Sequence, residues 1–368
     1  MAFEGVFGQE RVKQILKSSL KRNRLAHAYL FHGLPGVGKD AVSIDMAMGL
    51  NCKESVVGGC GKCSSCLSIQ NLEHPGFRLV LPVPTRPKSM KEEKYEEILR
   101  DRALQRVKNP YRDVSYSPEM SILPIIGINQ VRTMKREVVL RVAGGGWRVF
   151  LVSHVEQMTI SAANSLLKLL EEPPRRTILF LTTCAPGRLL KTIISRCHTI
   201  RFDPLLEKEI EDALVQRWSV KREKARFIGG MSGGSLQRGL ELAEEGFEEQ
   251  RKVAFAFLES SLVENRLRQV EEVEHFIKRT DKLKVIEILR ILQLWLRDLI
   301  YLSLGFQKKV MNSDRMDLLV NFSKKWPGFD AEKGMKSVER SIDFIEKNVY
   351  LPLIVVSLSQ ELSKCKHT

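Results

Sequence analysis

Gly33-Leu34-Pro35-Gly36-Val37-Gly38-Lys39-Asp40 is the stretch on which the fold of this chain turns. It follows the apolar run Ala28-Tyr29-Leu30-Phe31 and opens onto a helical pattern, the strand-to-helix context that a phosphate-binding loop needs. Gly33, Gly36 and Gly38 let backbone N–H groups wrap a phosphate, the helix N-terminus adds a favourable dipole, and Lys39 reaches the outer phosphates. The next position normally holds Ser or Thr, whose hydroxyl ligates magnesium. Here it is Asp40. A second apolar strand, Trp147-Arg148-Val149-Phe150-Leu151-Val152, is expected to end in a magnesium-holding Asp followed by a Glu that polarises water. It ends in Ser153-His154 instead. With these contacts replaced, the pattern reads as a nucleotide-hydrolase fold that does not hydrolyse. The retained Lys39 leaves open ATP binding without turnover. A carboxylate such as Asp40 can ligate magnesium, but it would set a second negative charge beside phosphate. His154 reads as a hydrogen-bonded strand-end histidine rather than a base.

Outward from this loop, short β-rich runs alternate with helical patterns to about residue 203, which predicts a doubly wound α/β domain with a parallel sheet and helices on both faces. The strands are expected at Tyr29–Phe31, Phe77–Val83, Val149–Val152, Thr177–Thr182 and Thr199–Phe202, and the helices at Asp40–Leu50, Ile128–Val142 and Ala162–Leu170. A charged, proline-bearing stretch from about Pro84 to Pro124 breaks the rhythm and predicts a partly helical surface insertion. Past Glu207 only helical patterns remain, with Gly229-Gly230-Met231-Ser232-Gly233-Gly234 as a breaker among them. The expected division is a P-loop domain over 1–204, a small helical lid over 205–245 and an all-α domain over 246–368.

Cys52, Cys60, Cys63 and Cys66 are spaced C-x7-C-x2-C-x2-C. Four thiolates on tight turns suit tetrahedral zinc, and a site closed by four protein ligands is structural. Cys184, Cys197 and Cys365 stand apart in sequence and read as core thiols. The chain has 368 residues with 59 basic and 44 acidic side chains, a formal charge of +15 that favours polyanionic partners. Neither a signal-like apolar N-terminus nor a membrane-length apolar run occurs, so a cytoplasmic protein without a membrane partner is expected. Val285–Leu304, the nearest candidate for a span, contains Glu287, Arg290, Arg297 and Asp298 and reads as a buried amphipathic helix.

Several of these segments resemble the AAA+ clamp-loader subunits of bacterial DNA polymerase III. The matching residues are Phe7-Gly8-Gln9-Glu10, Ala26-His27-Ala28-Tyr29-Leu30-Phe31, the four-cysteine insert after the P-loop helix, Ala163 to Pro174 (ANSLLKLLEEPP) and Ser195-Arg196-Cys197. A fainter match continues at Ile345-Glu346-Lys347-Asn348. The resemblance implies a ring-like assembly held by a C-terminal helical collar, which places a sliding clamp on primer–template DNA. It implies gamma/tau and delta subunits as partners, and it makes Arg196 an arginine finger directed at ATP on a neighbouring subunit. The losses at Asp40, Ser153 and His154 resemble the non-motor, delta-prime branch. So does Gly234-Ser235-Leu236-Gln237-Arg238, where the motor subunits' sensor arginine falls on Gln237. The alternative is an active gamma/tau-type ATPase, against which the missing strand-end acidic pair argues. A zinc-dependent nucleic-acid module would need basic and aromatic residues around the cysteines. Only Lys53 and Lys62 lie within Cys52–Cys66, and no aromatic does.

Overall fold

The computed structural model describes residues 3–54, 57–112, 124–139, 142, 145–244, 247–263, 282–347 and 349–366. Residues 113–123 of the insertion, the expected boundary at Glu245, and Asn348 lie outside them. The chain forms two compact units: Met1–Leu214 with Ser232–Leu240, and Val215–Met231 with Glu241–Thr368. The stretch expected as a separate lid is thus shared between the two.

The first unit is built on five parallel strands: β1 (Ala28–His32), β2 (Phe77–Val80), β3 (Arg148–Val152), β4 (Thr177–Thr183) and β5 (His198–Arg201), in the order β2-β3-β4-β1-β5. This is the expected parallel α/β sheet. Strands buried on both faces must be apolar throughout rather than alternating, and every residue of β3 and β4 is indeed buried. One face is mainly aliphatic: Ala28, Leu30, Val152, Leu179 and Leu181, with Phe150, meet Val131, Met134, Leu166 and Leu170 of α5 (Ile128–Val138) and α6 (Ile160–Glu171). The other face carries stacked and tilted rings of Tyr29, Phe31, Phe180 and Phe202, with centroids 5.0–5.9 Å apart.

The P-loop helix α2 (Lys39–Asn51) packs against β3 and β4 and is buried from Lys39 to Met48. A helix covered all round shows no amphipathic stripe, which is why its polar residues Asp40, Ser43 and Asp45 sit inside. α6 begins at the Thr159 N-cap, whose hydroxyl accepts from the Ala162 N–H at 3.2 Å, and stops before Pro173-Pro174.

Three expectations are corrected. β2 ends at Val80 rather than Val83; Val83 instead pairs with Ile125 in an isolated antiparallel bridge. α5 stops at Val138 rather than Val142. In the glycine-rich breaker, Gly229 and Gly230 lie inside a helix, Arg222–Met231, and the turn is made by Gly233 and Gly234, which adopt positive φ.

The second unit is helical, as expected. Phe247–Ser261, Lys282–Ser303, Ala331–Glu346 and Leu351–Ser363 enclose a core that includes Phe255, Leu289, Trp295, Phe322 and Leu358. Within it, Asp298 is fully buried and accepts from the Met311 N–H, the Asn312 N–H and Asn312 Nδ2 at 3.0, 2.8 and 2.6 Å. Arg251 pairs with Asp314 at 2.8 Å and donates to Asn312 Oδ1 at 2.7 Å. Among the described residues no helix is long and apolar enough to cross a membrane.

Candidate functional site: a degenerate phosphate loop

The loop connecting β1 to α2 has the P-loop conformation that its glycines predict, with Gly36 and Gly38 at φ 68° and 98°. What differs is the use made of its functional residues. Lys39 is buried, and its ammonium is turned back on the loop: it donates to the carbonyls of Gly33 and Leu34 at 2.9 and 2.6 Å and to Cys184 Sγ at 3.4 Å. Cys184, read from sequence as a core thiol, therefore belongs to this site.

Asp40 occupies the position of the magnesium-ligating hydroxyl and is committed to its neighbours. Its Oδ2 receives Arg106 Nε at 2.8 Å, Arg106 Nη2 at 2.7 Å and the Ser153 hydroxyl at 2.6 Å; its Oδ1 receives the Thr182 hydroxyl at 2.7 Å. Burial pushes the Asp40 carboxyl up, but the Arg106 guanidinium, then His154 and the two hydroxyls, outweigh it and hold the pKa at about 2. The sequence placed Asp40 and Ser153 as separate relics of a metal site. The fold joins them in one hydrogen-bonded network closed by a cation from the insertion.

Arg106 lies in the last turn of α4 (Glu92–Lys108), 66 residues from Asp40. The insertion is thus not only a surface feature, since Arg106, Val107 and Tyr111 are all buried. Tyr111 accepts the Phe7 N–H on its hydroxyl at 3.0 Å. A Cβ at Gly38 would stand 3.0 Å from that hydroxyl, and one at Gly36 would collide with the backbone N and Cβ of Gln237. Gln237, the residue at the sensor position, therefore rests on the loop itself. Nothing in the local sequence distinguishes Arg106 from Arg100 or Arg102; only the tertiary fold selects it.

His154 follows β3 with a left-handed backbone, φ 55°, and its Nδ1 lies 3.4 Å from Glu156 Oε1. Burial opposes ionisation of Glu156, but hydrogen bonds from His154 and Thr183 bring it down to about 2. The ligand atoms of His154, Glu156 and Cys184 lie within 4.8 Å of one another. With the Lys39 ammonium already against Cys184, a cation placed there would meet an existing positive charge.

The structure also places the four cysteines and Arg196. The sulfurs of Cys52, Cys60, Cys63 and Cys66 all lie within 4.8 Å of one another, with Cys52–Cys63 and Cys60–Cys66 both at 4.0 Å. A zinc–sulfur bond of about 2.3 Å in a tetrahedron sets sulfurs roughly 3.8 Å apart, so the cluster fits zinc binding. Arg196 follows the short helix α7 (Lys191–Ile194) and precedes β5, an edge strand of the sheet. It is partly exposed, pairs with Glu171 at 2.7 Å and donates to the Thr192 carbonyl at 3.0 Å.

A family model described as DNA polymerase III, delta subunit, matches residues 8–206, and one for the C-terminal part of that subunit matches residues 245–339. The chain belongs to the DNA polymerase III delta subunit family. Among its relatives, the delta' subunit of Bacillus subtilis DNA polymerase III is 33% identical over 241 residues, 64% of this chain and 61% of that protein. The delta' subunit of Pseudomonas aeruginosa is 32% identical over 232 residues, covering 62% of this chain and 60% of the relative. The match therefore spans about three fifths of each of these two relatives. The Bacillus subtilis tau subunit is 24% identical over 249 residues, 66% of this chain and 37% of its own length. A gamma-subunit-related protein from Thermotoga maritima superposes over 97% of this chain and 99% of its own, at 14% identity and a TM-score of 0.39, too loose a likeness to carry weight.

Proposed function

We propose that this chain is a delta-prime-type subunit of the replicative clamp loader: it does not hydrolyse ATP, and it supplies Arg196 to the ATP site of a neighbouring gamma/tau subunit. The observation that carries the reading is the fate of Asp40. The residue at the magnesium position is neutralised by the chain's own Arg106, while Lys39 is spent on loop carbonyls. A hydrolytic site needs both groups turned to nucleotide and metal, together with an acidic strand end that Ser153 and His154 do not provide. The tau relatives favour a motor reading by similarity alone, and this loss of ligands counts against it.

On this reading residues 1–204 form the P-loop domain, 205–245 the lid and 246–368 the collar that holds the ring together. Delta and gamma/tau subunits are the direct partners; the sliding clamp and primer–template DNA are reached through the assembly. The module over 52–66 carries structural zinc. The position of Arg196 supports a role in trans, beside an edge strand and free of the P-loop of its own chain. Its ion pair with Glu171 is half-exposed, of a kind worth about 0–1 kcal/mol, so exchanging Glu171 for a neighbour's phosphate costs little.

The test is Arg196→Ala in the reconstituted loader. Gel filtration should show an assembled complex, while DNA- and clamp-stimulated ATPase falls by about 10³–10⁵, the range set by arginine fingers elsewhere. Arg196→Lys should rescue poorly, because an ammonium lacks the planar fork. Unchanged hydrolysis in a fully assembled mutant ring removes the finger.

A further inference from the structure

The two ends of the insertion meet within the first unit. Val83 and Ile125 exchange backbone hydrogen bonds of 2.9 and 3.0 Å, so the insertion is bounded by a closed pair of residues. The described part of the insertion returns to the phosphate loop. α4 delivers Arg106 to Asp40, Arg106 also donates to the Arg112 carbonyl, and the turn after α4 lays the wholly buried Tyr111 against Gly38. The space left among Pro35, Lys39, Arg106, Pro110, Thr183 and Gln237 is about 20 Å³. That is room for about one water molecule in the enclosed part of the cleft.

We propose that Arg106 to Tyr111 is a built-in occupant of a latent nucleotide-binding loop, a plug whose guanidinium supplies the positive charge that magnesium supplies in a working site. The glycines and Lys39 keep the backbone of a phosphate cradle, and the chain fills it from within. This inference rests on the reading of the loop as degenerate and not on the clamp-loader assignment. It also gives the insertion a task that no surface loop needs. Occupancy and nucleotide binding exclude each other, so the apparent affinity for ATP is the intrinsic one reduced by the fraction of molecules with the plug out. A plug absent in about one molecule in a hundred weakens binding about a hundredfold.

The Val83–Ile125 bridge allows the plug to be removed cleanly. Residues 84–124 are replaced by Asn-Gly, a two-residue hairpin turn, and Asp40→Thr is added so that no unpaired carboxylate is left buried. Binding of a fluorescent ATP analogue with magnesium is measured for the full chain, for Asp40→Thr alone, for the excised chain and for Arg106→Ser/Tyr111→Ala/Asp40→Thr. The full chain and Asp40→Thr should bind weakly or not at all. The excised chain should bind at least a hundredfold more tightly than the full chain, with the gain abolished by Lys39→Ala. If excision unfolds the unit, Arg106→Ser/Tyr111→Ala/Asp40→Thr must show the same gain in direction. Wild-type binding as tight as that of the unplugged variants overturns the proposal. So do folded, unplugged variants that still fail to bind, and that result leaves the clamp-loader reading standing. Conversely, wild-type ATPase in a ring carrying Arg196→Ala defeats the finger and leaves the plug untouched.

Discussion

Arg106→Met should destabilise the first unit by about 3–5 kcal/mol, the range for stripping one partner from a buried ion pair. The structure supplies a scale for that figure. The Asp40 carboxyl is held at about 2 against an ordinary 3.8, so its network as a whole outweighs its own burial by on the order of 2 kcal/mol. That difference is net of desolvation, and Arg106 is the largest of the groups that produce it. Two unit charges about 4 Å apart at an effective dielectric of 20 give roughly 4 kcal/mol. The pH dependence has a definite sign. In the native chain the depressed carboxyl contributes stability above pH 3.8 that is lost as pH falls through about 2. Without Arg106, burial dominates and raises the carboxyl, which makes the charged form costly as pH rises. The gap between native and Arg106→Met chains should therefore shrink as pH is lowered from 7 towards 3. Urea unfolding followed by near-UV circular dichroism at several pH values measures it. A double variant, Arg106→Met/Asp40→Thr, should cost less than Arg106→Met alone. A loss below about 1 kcal/mol, or a gap independent of pH, refutes the assignment of Arg106 as the counter-ion of Asp40.

Elemental analysis of tag-free protein should give about one zinc per chain, and chelation should cost local order around residues 52–66, since binding and folding of a four-thiolate module are coupled. The isolated chain should show no magnesium-dependent ATPase, and Asp40→Thr/Ser153→Asp/His154→Glu should still turn over slowly without a neighbour's arginine; motor-like rates from the native chain, abolished by Lys39→Ala, would contradict this. In the helical unit, Asp298→Ala strands two backbone N–H groups and the Asn312 amide, and thermal unfolding should register a loss of about 2–4 kcal/mol.

The parts of the fold legible in sequence were those coded locally. The glycine spacing and flanking apolar run announced the loop between β1 and α2, and the cysteine spacing announced a cluster whose sulfurs do meet. Strand positions followed from apolar runs because a sheet covered on both faces imposes them. What was not legible depends on contacts between distant segments. Asp40 could be seen to be wrong for magnesium, but not right for Arg106, whose surroundings in sequence are an ordinary charged helix. Cys184 lies 145 residues from Lys39, and a lone cysteine carries no mark of its partner. The insertion reads as surface in sequence because its composition is polar. Among the described residues its buried end depends on Arg106, Val107 and Tyr111, too few to shift a compositional reading.

One consequence follows from the place of Cys52. It is the residue that closes α2, so the helix that starts at the phosphate loop ends at the first thiolate of the cysteine cluster. At 1.5 Å per residue, the 13 residues of α2 make a strut about 20 Å long. One end is fastened by the Asp40 network and the other by the thiolates. Either fastening alone leaves the far turns free to fray, because helix ends lack partners for their backbone groups. Hydrogen exchange along α2 should therefore read as two independent half-lives. Chelating the metal should speed exchange from Met48 to Asn51 and spare the first turn, while Arg106→Met should do the reverse.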